Sequence, residues 1–205
     1  MSSSANSKVR AKVWVTPDQV EALRSACYTT GEEYLQQRNE AIIAFTYDTG
    51  LRVGELVQVD VSLLRSNNSE LYLPTEIQKD YPTENSPPPV TLELADDTAR
   101  LLSAYLTNRW KDSPALFPSR SSDRISEQGV RNMLHKVAEA AAIRPYKIDG
   151  SRGDAGDMTP HALRHGVAYR MMNDEDENTL YDVRNRLRHR SIQTTERIYD
   201  HLLKV

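Results

Sequence analysis

Helices with recognisable ends account for most of this chain of 205 residues. Thr16-Pro17 is typical of a helix start, because threonine caps a helix and proline fits its first position. Thr159-Pro160 repeats this signal, whereas Gly50 follows a helical stretch and is typical of a helix end. These signals predict a fold built mainly of α-helices.

One central stretch departs from the helical pattern. Residues 70–79 and 89–94 contain the β-type sequences LYL and VTLEL, and the polar, proline-rich sequence DYPTENSPPP joins them. This arrangement predicts a hairpin with a long tip. The expected fold is therefore mainly α with a small antiparallel β-hairpin or sheet, in the α+β class.

The composition is that of one globular domain. Hydrophobic residues make up 39% of the chain and charged residues 27%, which is too apolar for disorder. No apolar run approaches the roughly 20 residues that a membrane helix needs, and the polar start MSSSANSKVRAK does not resemble a secretory signal. The single cysteine, Cys27, is expected in the core. We therefore expect an intracellular, cytoplasmic protein with no membrane partner.

The charge distribution is more informative than the net charge of -3. Residues 184–190, RNRLRHR, carry four arginines and a histidine, and the acidic residues 174–177 cancel them in the total. Such a basic patch can bind phosphate in a protein of negative net charge. The alternative is a solvated helix face with alternating charges.

Two short motifs contain arginines suited to binding an anion. In TGLRVGEL, 49–56, Arg52 opens a helix where backbone N–H groups favour an anion, and Glu55 could hold the Arg52 guanidinium. The alternative is an ordinary Arg–Glu ion pair on the surface. In HALRH, helical spacing puts His161, Arg164 and His165 on one face, where arginine can grip phosphate and histidine can relay a proton. A zinc pair is a weaker interpretation, because the HExxH glutamate is missing, so no metal is predicted.

The third motif is LRHRSIQTTERIYDH, 187–201, in which Tyr199 follows His189 by ten residues. A short helix near the C-terminus could move relative to the domain, and Tyr199 is the predicted nucleophile that attacks a DNA phosphodiester. A tyrosine near a terminus more often only packs. Tyr181 and Tyr169 are the next candidates, and Tyr181 is expected on a packed helix.

These motifs, in this order and with a lysine in the hairpin, resemble the catalytic domain of the tyrosine recombinase (phage integrase) family. The resemblance runs from about Thr16 to the C-terminus and implies a role for eight residues. Arg52 and Arg164 would clamp the phosphate, and His189 would donate a hydrogen bond to it. Tyr199 would be the nucleophile, His161 the general base or proton relay, and Lys79, at the end of the first hairpin strand, would protonate the leaving 5′-oxygen. Glu55 and His165 would support these residues.

The resemblance also implies an activity and partners. The chain would be a site-specific recombinase or integrase that cleaves and rejoins double-stranded DNA through a 3′-phosphotyrosyl intermediate, without cofactor or nucleotide. It would assemble as a dimer or tetramer on DNA. Residues 1–12 would be a flexible lead-in and residues 13–205 the catalytic domain, with the family's N-terminal DNA-clamping domain absent.

Two local departures from the family pattern concern the last motif. Arg188 stands where the family usually has glycine before the second histidine, and one extra residue separates this histidine from the tyrosine.

A type IB-like topoisomerase or resolvase is an alternative with the same chemistry. A non-catalytic DNA-binding protein with this fold is another, although it would have no chemical need for the tyrosine. The helices predicted at 126–141 and 159–172 are candidates for DNA groove contact.

Overall fold

A computed structural model describes residues 12–78, 87–175 and 178–202, and these residues form eight α-helices and five short strands. The helices are α1 (Pro17–Ala26), α2 (Glu33–Thr49), α3 (Val53–Leu56), α4 (Asp96–Asn108), α5 (Glu127–Ala140), α6 (Pro160–Asn173), α7 (Leu180–Leu187) and α8 (Ile192–Tyr199). The strands are β1 (Val13–Trp14), β2 (Leu64–Arg65), β3 (Glu70–Leu73), β4 (Val90–Glu93) and β5 (Tyr146–Lys147). The predicted fold class is confirmed.

Helix α2 lies at the centre of the molecule. Every residue from Arg38 to Thr49 is buried, and α1, α4 and α6 pack around it. A helix that is covered on all sides has no solvent-facing stripe, so its sequence does not show the usual amphipathic alternation. The helix ends at Thr49, and the turn that follows at Gly50 is buried and leads to the start of α3.

The helix ends form as the sequence predicts. The Gln19 side chain accepts the Thr16 N–H at 3.2 Å, and the Thr159 hydroxyl accepts the Ala162 N–H at 3.2 Å. Gly50 adopts the left-handed conformation, with φ of +63°, after α2. These local interactions satisfy backbone groups that a helix end leaves free.

The predicted hairpin is present but its first strand is short. Strands β3 and β4 are antiparallel, with Leu71 opposite Leu92, and β2 pairs with the other edge of β3. β3 ends at Leu73 because Pro74 has no N–H for the ladder, and a 3₁₀ turn follows at Thr75–Ile77. The prediction that the strand continues to Lys79 was therefore wrong, and Lys79 itself lies outside the described residues.

Strand β1 lies directly on α6. A Cβ atom at Gly166 would be 2.9 Å from the carbonyl oxygen of Val15, so only glycine allows this close approach. β1 also pairs with β5, and the Trp14 ring contacts the His201 ring with centroids 5.7 Å apart. The first strand thereby reaches both α6 and the residues after α8.

Two expectations concern single residues. Cys27 is fully buried, as predicted for a core position. Tyr181 lies on α7, which packs against α6 and α8 as predicted, but its own side chain is 62% exposed. It lies near the start of the short helix α7, which buries only Val183 and Leu187. In the part of the chain that the structure describes, no helix is long and apolar enough to cross a membrane.

Candidate active site

A cavity of about 410 Å³ collects side chains from distant parts of the sequence. It lies between the start of α3, one face of α6, and the segment from the end of α7 through α8. Its lining residues are Arg52, His161, Arg164, His165, His189, Arg190, Thr194, Ile198 and Tyr199. Six of the eight predicted site residues are in this group, Glu55 lies behind Arg52, and Lys79 is outside the described residues.

Arg164 is a buried arginine that joins two helix ends. Its guanidinium donates to the carbonyl oxygens of Gly50, after α2, and Leu187, at the end of α7. A Cβ atom at Gly50 would lie 2.5 Å from the Leu187 side chain, so these two ends are in direct contact. Two backbone carbonyls thus hold the Arg164 guanidinium in place where it lines the cavity.

Glu55 holds Arg52 from behind. One of its oxygens, Oε1, accepts from the Arg52 guanidinium at 2.9 Å, and the other accepts the Arg52 backbone N–H at 2.9 Å. Oε2 also accepts from Arg188 at 2.7 Å. Burial favours the neutral acid, but the positive charges of Arg188 and Arg52 outweigh it and lower the pKa of Glu55 to about 2. This carboxylate is 2% exposed, so the pair is not an ordinary surface ion pair.

The group around Glu55 carries an excess of positive charge. Three guanidinium groups, those of Arg52, Arg164 and Arg188, surround this one carboxylate, so two positive charges remain unbalanced. Burial, together with repulsion by Arg52, lowers the pKa of Arg164 to about 9. Like charges held together away from water favour the entry of an anion.

Two histidines of the cavity, the buried His189 and the partly buried His165, are neutral near pH 7. Burial and then the nearby Arg164 lower the pKa of His189 to about 3, and burial lowers the pKa of His165 to about 4. Nδ1 of His165 is 2.9 Å from the carbonyl oxygen of Val13 and must donate, because a carbonyl only accepts. Nδ1 of His189 is 2.9 Å from the Thr195 hydroxyl. When Thr195 donates this bond, His189 carries its proton on Nε2.

His161 differs from the other two histidines in being exposed. Its ring lies beside that of His165, with centroids 6.2 Å apart, and it lines the cavity. Among the described residues, no group of three or more histidine, cysteine, aspartate or glutamate side chains is placed to hold a metal ion.

Tyr199 is enclosed by His189 and His165. Its ring stacks on His189, with centroids 5.8 Å apart and planes 11° from parallel, and it meets the edge of His165 at 5.7 Å. Burial raises the pKa of Tyr199 to about 12, although Arg164 and Arg52 oppose this shift. The phenol is therefore protonated at neutral pH, and any attack by its oxygen requires a base.

The family of the chain follows from comparison with known proteins. Residues 13–204 match the model of the phage integrase family. The chain belongs to the phage integrase family. The tyrosine recombinase XerC of Herpetosiphon aurantiacus is 31% identical over 195 residues, which cover 92% of this chain and 55% of that protein. The chain spans about half the length of the curated relatives it matches.

Solved structures show that the fold is shared. The Tn1549 transposon integrase in complex with transposon right end DNA has a TM-score of 0.70 and 18% identity, covering 94% of this chain and 62% of that one. A lambda integrase dimer bound to a COC′ core site has a TM-score of 0.62 and 17% identity, covering 89% of this chain and 46% of that one. This phage integrase domain therefore has the architecture of these catalytic domains.

The arginine run of this phage integrase domain does not form one basic patch. Arg186 pairs with the buried carboxylate of Asp48 and Arg188 with that of Glu55. Arg184 donates to Asn185, whereas Arg190 is exposed and lines the cavity. The four arginines of residues 184–190 thus have different partners and surroundings, because a turn at Arg188 separates α7 from α8.

Sequence reasoning missed several residues of the cavity. Arg190, Thr194 and Ile198 line it, and Arg188 lies behind it. Thr194 and Ile198 are four residues apart on α8, as are Thr195 and Tyr199, so helical spacing around the tyrosine was the available signal. No local signal indicated the partner of Arg188, since Glu55 is far away in sequence.

Proposed function

We propose that this chain is the catalytic domain of a site-specific DNA recombinase or integrase. It cleaves and rejoins double-stranded DNA through a 3′-phosphotyrosyl intermediate. The observation that supports this best is the meeting of Arg52, Arg164, His189 and Tyr199 around one positively charged cavity. Membership of the phage integrase family adds to that support.

In this proposal the scissile phosphate enters the cavity as an anion. Arg52 and Arg164 donate N–H groups to its non-bridging oxygens, and His189 donates from Nε2. These donors are held by Glu55, by two backbone carbonyls and by Thr195, so they are oriented before the substrate arrives. Fixed donors of this kind stabilise the charge that accumulates on the phosphate oxygens in the transition state.

The chemical step transfers the phosphoryl group from DNA to protein. The oxygen of Tyr199 attacks phosphorus, the bond from phosphorus to the 5′-oxygen breaks, and the 3′-end of the strand becomes joined to the tyrosine. The phenolic proton passes to His161, and Lys79 supplies a proton to the leaving 5′-oxygen. The phosphotyrosyl ester conserves the bond energy, so a 5′-hydroxyl can later attack it and restore the strand.

The proposed step requires a base, because the pKa of Tyr199 is raised to about 12. A phosphate bound between Arg52 and Arg164 would partly neutralise the two charges that favour the phenolate. His161 lines the same cavity as Tyr199 and its ring lies beside that of His165, so it is the group proposed to accept the phenolic proton.

Incubation with nicked duplexes tests the proposal. Cleavage near the nick releases a short fragment, which prevents rejoining and traps the covalent adduct. A pool of duplexes with randomised sequence allows for the unknown target site. We expect the wild-type chain to form an adduct that resists denaturation and Tyr199→Phe to form none. Tyr181→Phe is the matched control and should behave as wild type, because Tyr181 is on the surface.

Plasmid relaxation and strand exchange between paired sites, together with the adduct assay, separate the alternatives. A type IB-like topoisomerase would relax a supercoiled plasmid without a second site, whereas a recombinase would exchange strands between paired sites. A DNA-binding protein without activity would retain DNA but form no adduct. Failure of the wild-type chain to form any adduct with the pool would overturn the proposed function.

The proposal extends to domain organisation and partners. Residues 13–205 act as the catalytic domain and assemble as a dimer or tetramer on DNA in the cytoplasm. The dimer in the lambda integrase complex supports this assembly. Sedimentation of the chain with and without its selected duplex tests it, since assembly on DNA predicts a larger species only in the presence of DNA.

A further inference from the structure

Arg188 has a backbone conformation that is unfavourable for its residue type. Its φ of 53° and ψ of 50° are left-handed, and it joins the end of α7 to His189. A side chain in this region crowds the backbone, so glycine is favoured there. An arginine at such a position needs a compensating interaction elsewhere.

The compensation is the ion pair with Glu55. The Arg188 side chain is 7% exposed and donates to Oε2 of Glu55 at 2.7 Å and to the Arg186 carbonyl at 3.1 Å. A buried guanidinium without a counter-ion would be strongly destabilising. Arg188 and Glu55 therefore depend on each other for burial.

Glu55 connects Arg188 to the cavity. Its Oε1 accepts from the Arg52 guanidinium, and its Oε2 accepts from Arg188 and from the Arg52 backbone. Both carboxylate oxygens are thus fixed, and the other guanidinium N–H groups of Arg52 are free to point elsewhere. The charged groups that face Glu55 are Arg52 before α3, Arg164 from α6 and Arg188 after α7.

We propose that Arg188 is a positioning residue for the phosphate-binding arginines. Through Glu55 it fixes the orientation of Arg52, and its charge offsets the carboxylate charge beside the cavity. Arg188 does not line the cavity, so it acts without touching DNA. This inference rests on the proposed function of the cavity.

Single-turnover cleavage of a saturating, selected nicked duplex tests the inference with Arg188→Gly. Glycine adopts the left-handed conformation without strain, so this variant removes the guanidinium and keeps the turn. We expect cleavage to slow by about 10- to 100-fold, as is typical when the partner of a functional side chain is lost. The salt dependence of DNA binding should not change, because Arg188 is buried and contacts no phosphate, and DNA affinity should fall much less than the cleavage rate. Arg188→Lys keeps the charge and should recover part of the rate.

A pH profile distinguishes positioning from a general structural role. Arg188 is the strongest of the charges that lower the pKa of Glu55, so its removal raises that pKa. Glu55 is then protonated at a higher pH than in wild type, and its neutral form holds Arg52 less firmly. Cleavage by Arg188→Gly should therefore decline towards acidic pH more steeply than cleavage by wild type.

The double variant Glu55→Gln with Arg188→Gly completes the design. It removes both members of the Arg188–Glu55 ion pair, so neither is left buried without the other, and it also serves if Arg188→Gly is too unstable to assay. We expect it to cleave no more slowly than Glu55→Gln alone and to lack the acidic decline. The inference is overturned if Arg188→Gly cleaves at the wild-type rate with the wild-type pH profile, or if the two substitutions reduce the rate independently. Absence of an adduct in the wild-type chain would instead refute the proposed function.

Discussion

At the scale of single residues, the account depends on Arg52 and Arg164 contacting the reacting phosphate. We predict that Arg52→Ala slows strand cleavage by about 100- to 1,000-fold, because one fixed donor to the transition state is lost. DNA binding should weaken much less, since other backbone contacts remain. Arg100→Ala is a suitable control, because Arg100 is 73% exposed and pairs only weakly with Asp97. Equal losses of cleavage and binding in Arg52→Ala would contradict the clamp role.

Arg190 offers a contrast with Arg52 at the same scale. It is exposed at the cavity, so it is placed to contact a neighbouring phosphate rather than the reacting one. We predict that Arg190→Ala weakens DNA binding and reduces the slope of log affinity against log salt by about one, as expected for one lost phosphate contact. An unchanged salt slope, measured by titration at several salt concentrations, would rule out such a contact.

The sequence predicted most of the residues that line the candidate site, but not how they are held together. Short motifs marked Arg52, Arg164, His189 and Tyr199, since each motif is continuous in the sequence. The sharing of Glu55 between Arg52 and Arg188 depends on the Arg188 side chain, which follows α7, reaching α3, and no local pattern records this. For the same reason the arginine run was interpreted as one patch, although two of its members point inward.

At the scale of elements, the helix ends were predictable because capping is local, whereas strand β3 was predicted too long. The Gly50 turn has a local role and a tertiary role, since it ends α2 and also contacts α7.

We predict that Gly50→Ala is destabilising in two ways. A left-handed alanine costs about 1–2 kcal/mol, and its Cβ atom would lie 2.5 Å from Leu187, which adds about 1–3 kcal/mol of overpacking.

Gly150→Ala is the matched control for this prediction. Gly150 also has a positive φ, of +81°, but no atom lies within 4 Å of its would-be Cβ. It should therefore show the conformational cost alone. Chemical denaturation of both variants measures the difference, and equal destabilisation would show that α7 does not contact the turn as described.

At the scale of the whole molecule, buried histidines make stability depend on pH. The folded state lowers the pKa of His189 to about 3 and that of His165 to about 4, from 6.5. Between these values and 6.5 the unfolded chain binds more protons, so acidification favours unfolding. Glu55, with its pKa lowered from 4.5 to about 2, adds to this only below about pH 4.5.

We therefore predict that the thermal unfolding midpoint falls as the pH is lowered from 7 to 5, before carboxylates titrate. His189→Gln should show a smaller fall, because it removes one of the two buried imidazoles. A midpoint that is constant over this range would contradict the burial of both histidines. The amino-acid composition does not predict this pH dependence of stability, since the pH dependence is set by where the histidines lie in the fold.

The central claim is that Tyr199 becomes covalently joined to DNA, and peptide mapping of the trapped adduct tests it most directly. Trypsin would separate the three candidate tyrosines, because residues 198–204 contain Tyr199, residues 171–184 contain Tyr181 and residues 165–170 contain Tyr169. After nuclease digestion, mass spectrometry should find the nucleotide remnant on the peptide 198–204, at its tyrosine. A remnant on either of the other two peptides would contradict the account.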